Sequence, residues 1–177
     1  MFNRRKFIKA STLSASLLAI NKNSFGAALA PPFSTPSGHV DVKPIVISTW
    51  DFGIPANQAA WKVLAAGGRA LDAVEQGVWV PEADPNNQTV GYGGMPDRDG
   101  HVTLDACIMD ELGNCGSVAG LEHIVHPISV ARMVMEKTPH VMLVGDGALQ
   151  FALENGFKKV KLLTAKSEKA WKEWLKT

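Results

Sequence analysis

The sequence predicts an α+β domain in which helices pack on a sheet, and three observations predict it. Pro44-Ile45-Val46-Ile47-Ser48-Thr49-Trp50 is a short apolar, β-branched run with the length of a buried strand. Two further apolar runs, His101 to Met109 and Cys115 to Leu121, flank a turn at Gly113-Asn114 and read as a hairpin. Around them lie stretches whose apolar residues recur at helical spacing. The order is strand, two helices, hairpin, helix, strand, helix, without an internal repeat.

The chain opens on Asn3-Arg4-Arg5-Lys6-Phe7-Ile8-Lys9 and an apolar stretch from Ala10 to Ile20. Paired arginines before a short apolar run are the pattern of a twin-arginine export signal, and the run is short for a bilayer span. Residues 1–30 are therefore expected to be an export signal. Ala28-Leu29-Ala30 fits a small-x-small cleavage site, although Pro31 would obstruct the peptidase there. The expected destination is periplasmic or secreted, with no membrane role beyond export. Residues 31–43, rich in Pro, Ser and Gly, read as a linker, and 44–177 as the folded domain.

Within the domain, Pro55 suits a first helical turn. A helix is expected from Ala56 to Ala66, ended by Gly67-Gly68. A second runs from about Ala70 to Val80, with Leu71, Val74 and Val78 as its buried stripe, and Pro81 closes it. A glycine-rich turn, Gly91-Tyr92-Gly93-Gly94, precedes the hairpin. Pro127 opens a helix to Lys137 with Val130, Ala131 and Val134 inward. His140 to Val144 is a short buried strand, and Asp146 or Gly147 starts a helix that Gly156 stops. Ser167 is expected to cap a last helix with Trp171, Trp174 and Leu175 on its apolar face. So few strands leave an apolar sheet edge or face in need of a cover.

Eighteen basic and 17 acidic residues give a net charge of +1, which supplies no basic face for nucleic acid. A hydrophobic content of 46% is too high for a disordered chain. Only Cys107 and Cys115 are present. With the hairpin tip at Gly113-Asn114, Cys107 pairs nearer Val118 or Gly120 than Cys115, so two free, buried thiols are expected.

Most chemical motifs fail on spacing. Gly145-Asp146-Gly147 lacks the third glycine of a dinucleotide fingerprint, Gln150 standing there, and no Gly-Lys-Ser/Thr occurs. It reads as a strand-to-helix turn. His123 and His126 have no further ligand at metal spacing, and Asp97-Arg98-Asp99-Gly100 lacks the rest of a calcium loop. No cofactor and no metal are expected. No Gly-x-Ser-x-Gly marks a nucleophile. Physics singles out Trp50, a rigid aromatic at a strand end, either to wall a ligand or to pack in the core.

Seven ordered blocks carry a resemblance. They are Ser48-Thr49-Trp50-Asp51-Phe52, Gly68 to Glu75, Val90 to Gly94, Thr103 to Asp110, Gly116 to Leu121, Pro127 to Arg132 and Thr138 to Gly145. Together they resemble the glycosylasparaginase family, within the wider asparaginase and isoaspartyl-peptidase group of N-terminal-nucleophile hydrolases. The resemblance implies a four-layer αββα sandwich and a precursor that cuts itself at an Asp-Thr bond into α and β chains. It implies a Thr nucleophile whose own α-amine is the base, and a glycosylated asparagine as substrate. Related plant-type asparaginases carry His-Gly-Gly-Ala-Gly where this chain has the Ser-Thr-Trp-Asp-Phe block.

The sequence contains no Asp-Thr pair. By the resemblance this chain is the α-subunit part, with no catalytic residue of its own and a β subunit from the same precursor as partner. Pairs of αβ units, (αβ)2, are the implied assembly. Trp50, Thr49, Phe52 and Thr89 are the implied substrate-binding residues, while Asp97 is structural. An isoaspartyl peptidase or asparaginase of the same group, or an inactive fragment acting as a scaffold, are the competing readings.

Overall fold

Two overlapping turns start the first helix. The Trp50 carbonyl accepts the Gly53 amide at 2.8 Å and the Asp51 carbonyl accepts the Ile54 amide at 3.1 Å. The computed structural model describes residues 43–177, of which Pro44–Thr177 form one unit. The expected export signal, and the expected linker except Lys43, lie outside the described residues. Among those described are five helices and three strands: α1 (Gly53–Ala65), α2 (Ala70–Ala83), β1 (Thr103–Met109), β2 (Cys115–Glu122), α3 (Pro127–Lys137), β3 (Met142–Val144), α4 (Gly145–Glu154) and α5 (Ala165–Trp174). None of these helices is long and apolar enough to cross a membrane.

The predicted mixed α+β class is observed. Its sheet has the order β1-β2-β3. β1 and β2 form an antiparallel hairpin, and β2 and β3 run parallel, joined through α3. Helix α3 covers the sheet with Val130, Ala131 and Val134, all fully buried as predicted, against Val118 and Leu121 of β2. Ala148 and Ala152 of α4 complete this core. Each fully buried Val or Leu contributes about 1.5–3 kcal/mol, so this cluster is the main anchor of the fold.

The opposite sheet face is uncovered among the described residues. Cα pairing puts Cys107 beside Ser117 and Ser117 beside Met142, while Ala119 faces Val144. Met109, Met142 and Val144 on this side are exposed. The apolar face that the sequence leaves in need of a cover is thus present.

Several expectations need correction. Pro44 to Trp50 forms no strand, and Ile45 and Ile47 are 78% and 86% exposed. β-Branched composition supplies only a propensity; a strand needs a ladder partner, and none of the described strands lies beside this run. Pro81 sits inside α2, which ends at Ala83. Proline withholds one amide from the carbonyl four residues back, and two more residues of the last turn tolerate that loss. The buried residues of α2 are Leu71, Ala73, Gly77, Pro81 and Glu82; of the expected stripe Leu71 is buried and Val78 packs partly buried against the core, but Val74 is 49% exposed. The cause is the close approach of α1. A β-carbon at Gly77 would lie 3.0 Å from the Ala56 carbonyl and 3.1 Å from the Ala60 side chain, so the small residues turn inward.

Strand β3 is shorter than expected and its outward residues are exposed, because they belong to the uncovered face. Both cysteines are free, but neither is buried: Cys107 is exposed and Cys115 half-buried. The hairpin closes over Asp110 to Asn114, so Cys107 faces Ser117 and Met109 faces Cys115. In α5 the cap is Thr164, whose hydroxyl oxygen accepts the Ser167 amide at 3.3 Å. Ser167 is instead buried and donates its hydroxyl to the Gly93 carbonyl. Trp174 and Leu175 are exposed.

Candidate active site

A cavity of about 510 Å³ opens between the segment before α1, the end of α2, the loop after it, β1 and the start of α3. Thr49, Trp50, Phe52 and Thr89, singled out from the sequence, all line it. They come from two stretches some forty positions apart, so the fold, not sequence proximity, gathers them.

The first wall is held by the entry into α1. Ser48 donates its hydroxyl to Asn57 Oδ1, tying the segment to the helix. The Trp50–Gly53 turn then leaves Trp50 69% exposed, so the reading of it as a core residue does not hold among the described residues. Phe52, the residue capping α1, is half-buried beside it.

The second wall is the loop after α2. Asn87 Oδ1 accepts both the Thr89 amide at 3.1 Å and the Thr89 hydroxyl at 2.6 Å. A hydroxyl carries one proton and two lone pairs. With its proton committed to Asn87, Thr89 offers a ligand acceptor capacity only. The glycine turn behind it is pinned three ways: the Tyr92 amide donates to the Glu82 carbonyl at 2.7 Å, the Gly93 amide to Leu162 at 2.9 Å, and Ser167 to Gly93. Gly91 has φ of 60°, and a β-carbon there would overlap the Glu82 carbonyl, so only glycine closes this turn.

The sequence reading missed Glu82 and Asp105, which also line the cavity. Asp105 sits at an irregularity in the β1–β2 register and accepts the Gly120 amide at 2.7 Å. Glu82 is 3% exposed. Its Oε1 accepts the Ile128 amide at 3.1 Å, and its Oε2 lies 3.1 Å from His126 Nδ1. Burial pushes its carboxyl above the usual carboxylate range, against the pull of those hydrogen bonds. A signal for it existed: Glu82 continues the helical spacing of Leu71, Glu75 and Val78.

The discarded motifs have other work. Asp97 Oδ1 accepts the Asp99 and His101 amides, both at 2.9 Å, and the bond from His101 leads in holding its carboxyl below the usual range. It is a turn residue, as read. His123 approaches Glu122, and His126 approaches Glu82. Among the described residues, no group of three or more His, Cys, Asp or Glu is placed to hold a metal ion. Gly145-Asp146-Gly147 is the first turn of α4, which begins directly after β3 and so one residue earlier than expected.

The asparaginase family model matches residues 53–177. An N(4)-(Beta-N-acetylglucosaminyl)-L-asparaginase of Elizabethkingia miricola is 63% identical over 175 residues, covering 99% of this chain and 50% of that protein. Proteins of the same name from Mus musculus and Rattus norvegicus are each 47% identical over 133 residues, covering 75% of this chain and 38% of theirs. The chain thus spans half or less of the length of these relatives.

Proposed function

The chain belongs to the asparaginase family, and on that premise we propose that it is the α-subunit part of an amidohydrolase that cleaves the bond between an asparagine side chain and N-acetylglucosamine. The single observation carrying this reading is that Trp50, Thr49, Phe52 and Thr89 line one cavity. The names of the relatives support the substrate.

In this reading the nucleophile lies outside the chain, on a β part freed by cleavage of an Asp-Thr bond. The Thr hydroxyl attacks the side-chain amide carbon while its own α-amine takes the proton. That proton passes to the departing glycosylamine nitrogen, leaving an ester between Thr and aspartate. Water then adds to the ester and releases aspartate. Backbone and side-chain donors from the β part stabilise the oxyanion. This chain's residues bind and orient. The exposed Trp50 indole covers one face of the substrate, Phe52 narrows the pocket beside it, and Thr89 accepts a hydrogen bond from a substrate N–H or O–H.

The same proposal includes a complete four-layer αββα sandwich, with the sheet face of Met109, Met142 and Val144 covered by the β part. Pairs of such αβ units form the assembly. Export through the twin-arginine pattern at Arg4-Arg5 to a periplasm completes it.

The test pairs this chain, by co-expression, with the second half of the Elizabethkingia relative. Aspartate release from glycosylated asparagine, exceeding that from a β-aspartyl dipeptide, is the expected result. A preference for the dipeptide would instead mark an isoaspartyl peptidase.

A further inference from the structure

Glu82 ties together three parts of the molecule that meet at the cavity. Its backbone carbonyl accepts the Tyr92 amide at 2.7 Å, which fixes the glycine turn and with it the Thr89 wall. Its side chain reaches the other way. Oε1 accepts the Ile128 amide at 3.1 Å, and Pro127 and Ile128 form another part of the cavity wall. Helix α3 needs this bond. Its first residue, Pro127, has no amide, its own cap residue His126 makes no side-chain capping bond, and the Ser129 amide is already taken by the His126 carbonyl at 3.2 Å. The Ile128 amide is therefore the first-turn donor that only a residue from elsewhere satisfies, and a carboxylate suits the positive end of a helix. The second oxygen lies 3.1 Å from His126 Nδ1, so the residue that leads into α3 is held as well. Trp79, one turn earlier on α2, donates to Ser129 Oγ at 2.7 Å and aligns the same two helices.

A buried carboxylate is costly, and an apolar side chain at this place in α2 would avoid that cost. The structure places the charge where one residue sets the spacing of two cavity walls. We propose that Glu82 is a positioning residue of the active site, fixing the distance between the Thr89 loop and the start of α3 through its carbonyl and its carboxyl. The proposal rests on the amidohydrolase reading for its kinetic consequence, but its structural consequence stands without it.

The experiment uses this chain paired with the second half of the Elizabethkingia relative, as wild type, Glu82→Ala and Glu82→Gln. Glutamine keeps an acceptor for the Ile128 amide. Glu82→Ala is expected to raise KM for glycosylated asparagine about 10-fold or more, with a smaller fall in kcat, and Glu82→Gln to bring KM back to within about 3-fold of wild type. A purely structural role would lower the yield of folded enzyme and leave KM alone. Amide hydrogen exchange is measured on the same samples. In Glu82→Ala the Ile128 amide should lose protection, while the amide of Tyr92, whose carbonyl acceptor alanine retains, and those of Leu121 and Val134 keep it. An unchanged KM, or a glutamine variant as impaired as alanine, overturns the proposal. So does an Ile128 amide as protected in Glu82→Ala as in wild type, which would mean that the carboxyl does not hold the start of α3. Should the wild-type pair turn over neither glycosylated asparagine nor a β-aspartyl dipeptide, the function reading fails, and the exchange pattern alone decides the role of Glu82.

Discussion

Thr89 and Asn87 form a closed unit in which one carboxamide oxygen accepts both the amide and the hydroxyl of Thr89, at 3.1 Å and 2.6 Å. The consequence is directional: a ligand can only donate to Thr89. Thr89→Ser keeps this arrangement, whereas Thr89→Val keeps the volume and removes the acceptor. In the assembled enzyme, Thr89→Val should raise KM by about 5- to 30-fold, the worth of one hydrogen bond of ~1–2 kcal/mol, and Thr89→Ser should stay near wild type. Steady-state kinetics on the three proteins checks this.

Glu82 gives stability a pH dependence whose sign follows from its environment. Burial raises its folded-state pKa above the unfolded value. The folded state therefore binds the proton more tightly, and this contribution is fully present below the ordinary carboxylate pKa and lost as pH rises through the raised value. Glu82→Gln has no such proton. The stability of wild type minus that of Glu82→Gln should fall as pH increases from about 4 towards neutrality, measured by urea unfolding at each pH. The other charged groups acting on Glu82 are His126, which opposes the shift, and Glu75, which adds to it. Repeating the series in a Glu75→Gln background should shrink the slope.

Leu121 is fully buried between the sheet and its helices. Leu121→Ala leaves a cavity and should cost about 2–5 kcal/mol in the urea midpoint analysis. A β-branched residue at Gly77 should cost about 1–3 kcal/mol by forcing α1 from α2, since the Ala56 carbonyl is backbone and cannot step aside.

What was legible in the sequence depended on whether a local pattern carried it. Helix α3 could be read almost to the residue, because Pro127 marks its start and Val130, Ala131 and Val134 repeat at its period. The hairpin could be read, but not its register: a shift of the tip from Gly113-Asn114 to the Asp110–Asn114 loop re-pairs Cys107 with Ser117. The inward face of α2 was not legible, because Gly77 turns inward for the sake of α1, a partner that hydrophobicity along α2 does not reveal. The stretch from Pro44 to Trp50 has the composition of a strand yet joins no ladder, since its pairing is decided by other chain segments. At the site, Trp50 stood out as a rigid aromatic at an expected strand end, while Thr49, Phe52 and Thr89 came only from the family resemblance. Glu82 was overlooked because Pro81 was read as the end of the helix that carries it.

The central claim is that Trp50 forms a wall of a pocket for glycosylated asparagine. The most direct measurement is the kcat/KM for aspartate release from glycosylated asparagine and from a β-aspartyl dipeptide, using wild type and Trp50→Ala paired with the second half of the Elizabethkingia relative. Loss of the indole should lower kcat/KM for glycosylated asparagine roughly 10-fold or more, with the fold intact by circular dichroism. A Trp50→Ala enzyme that turns over glycosylated asparagine as wild type does would contradict the account.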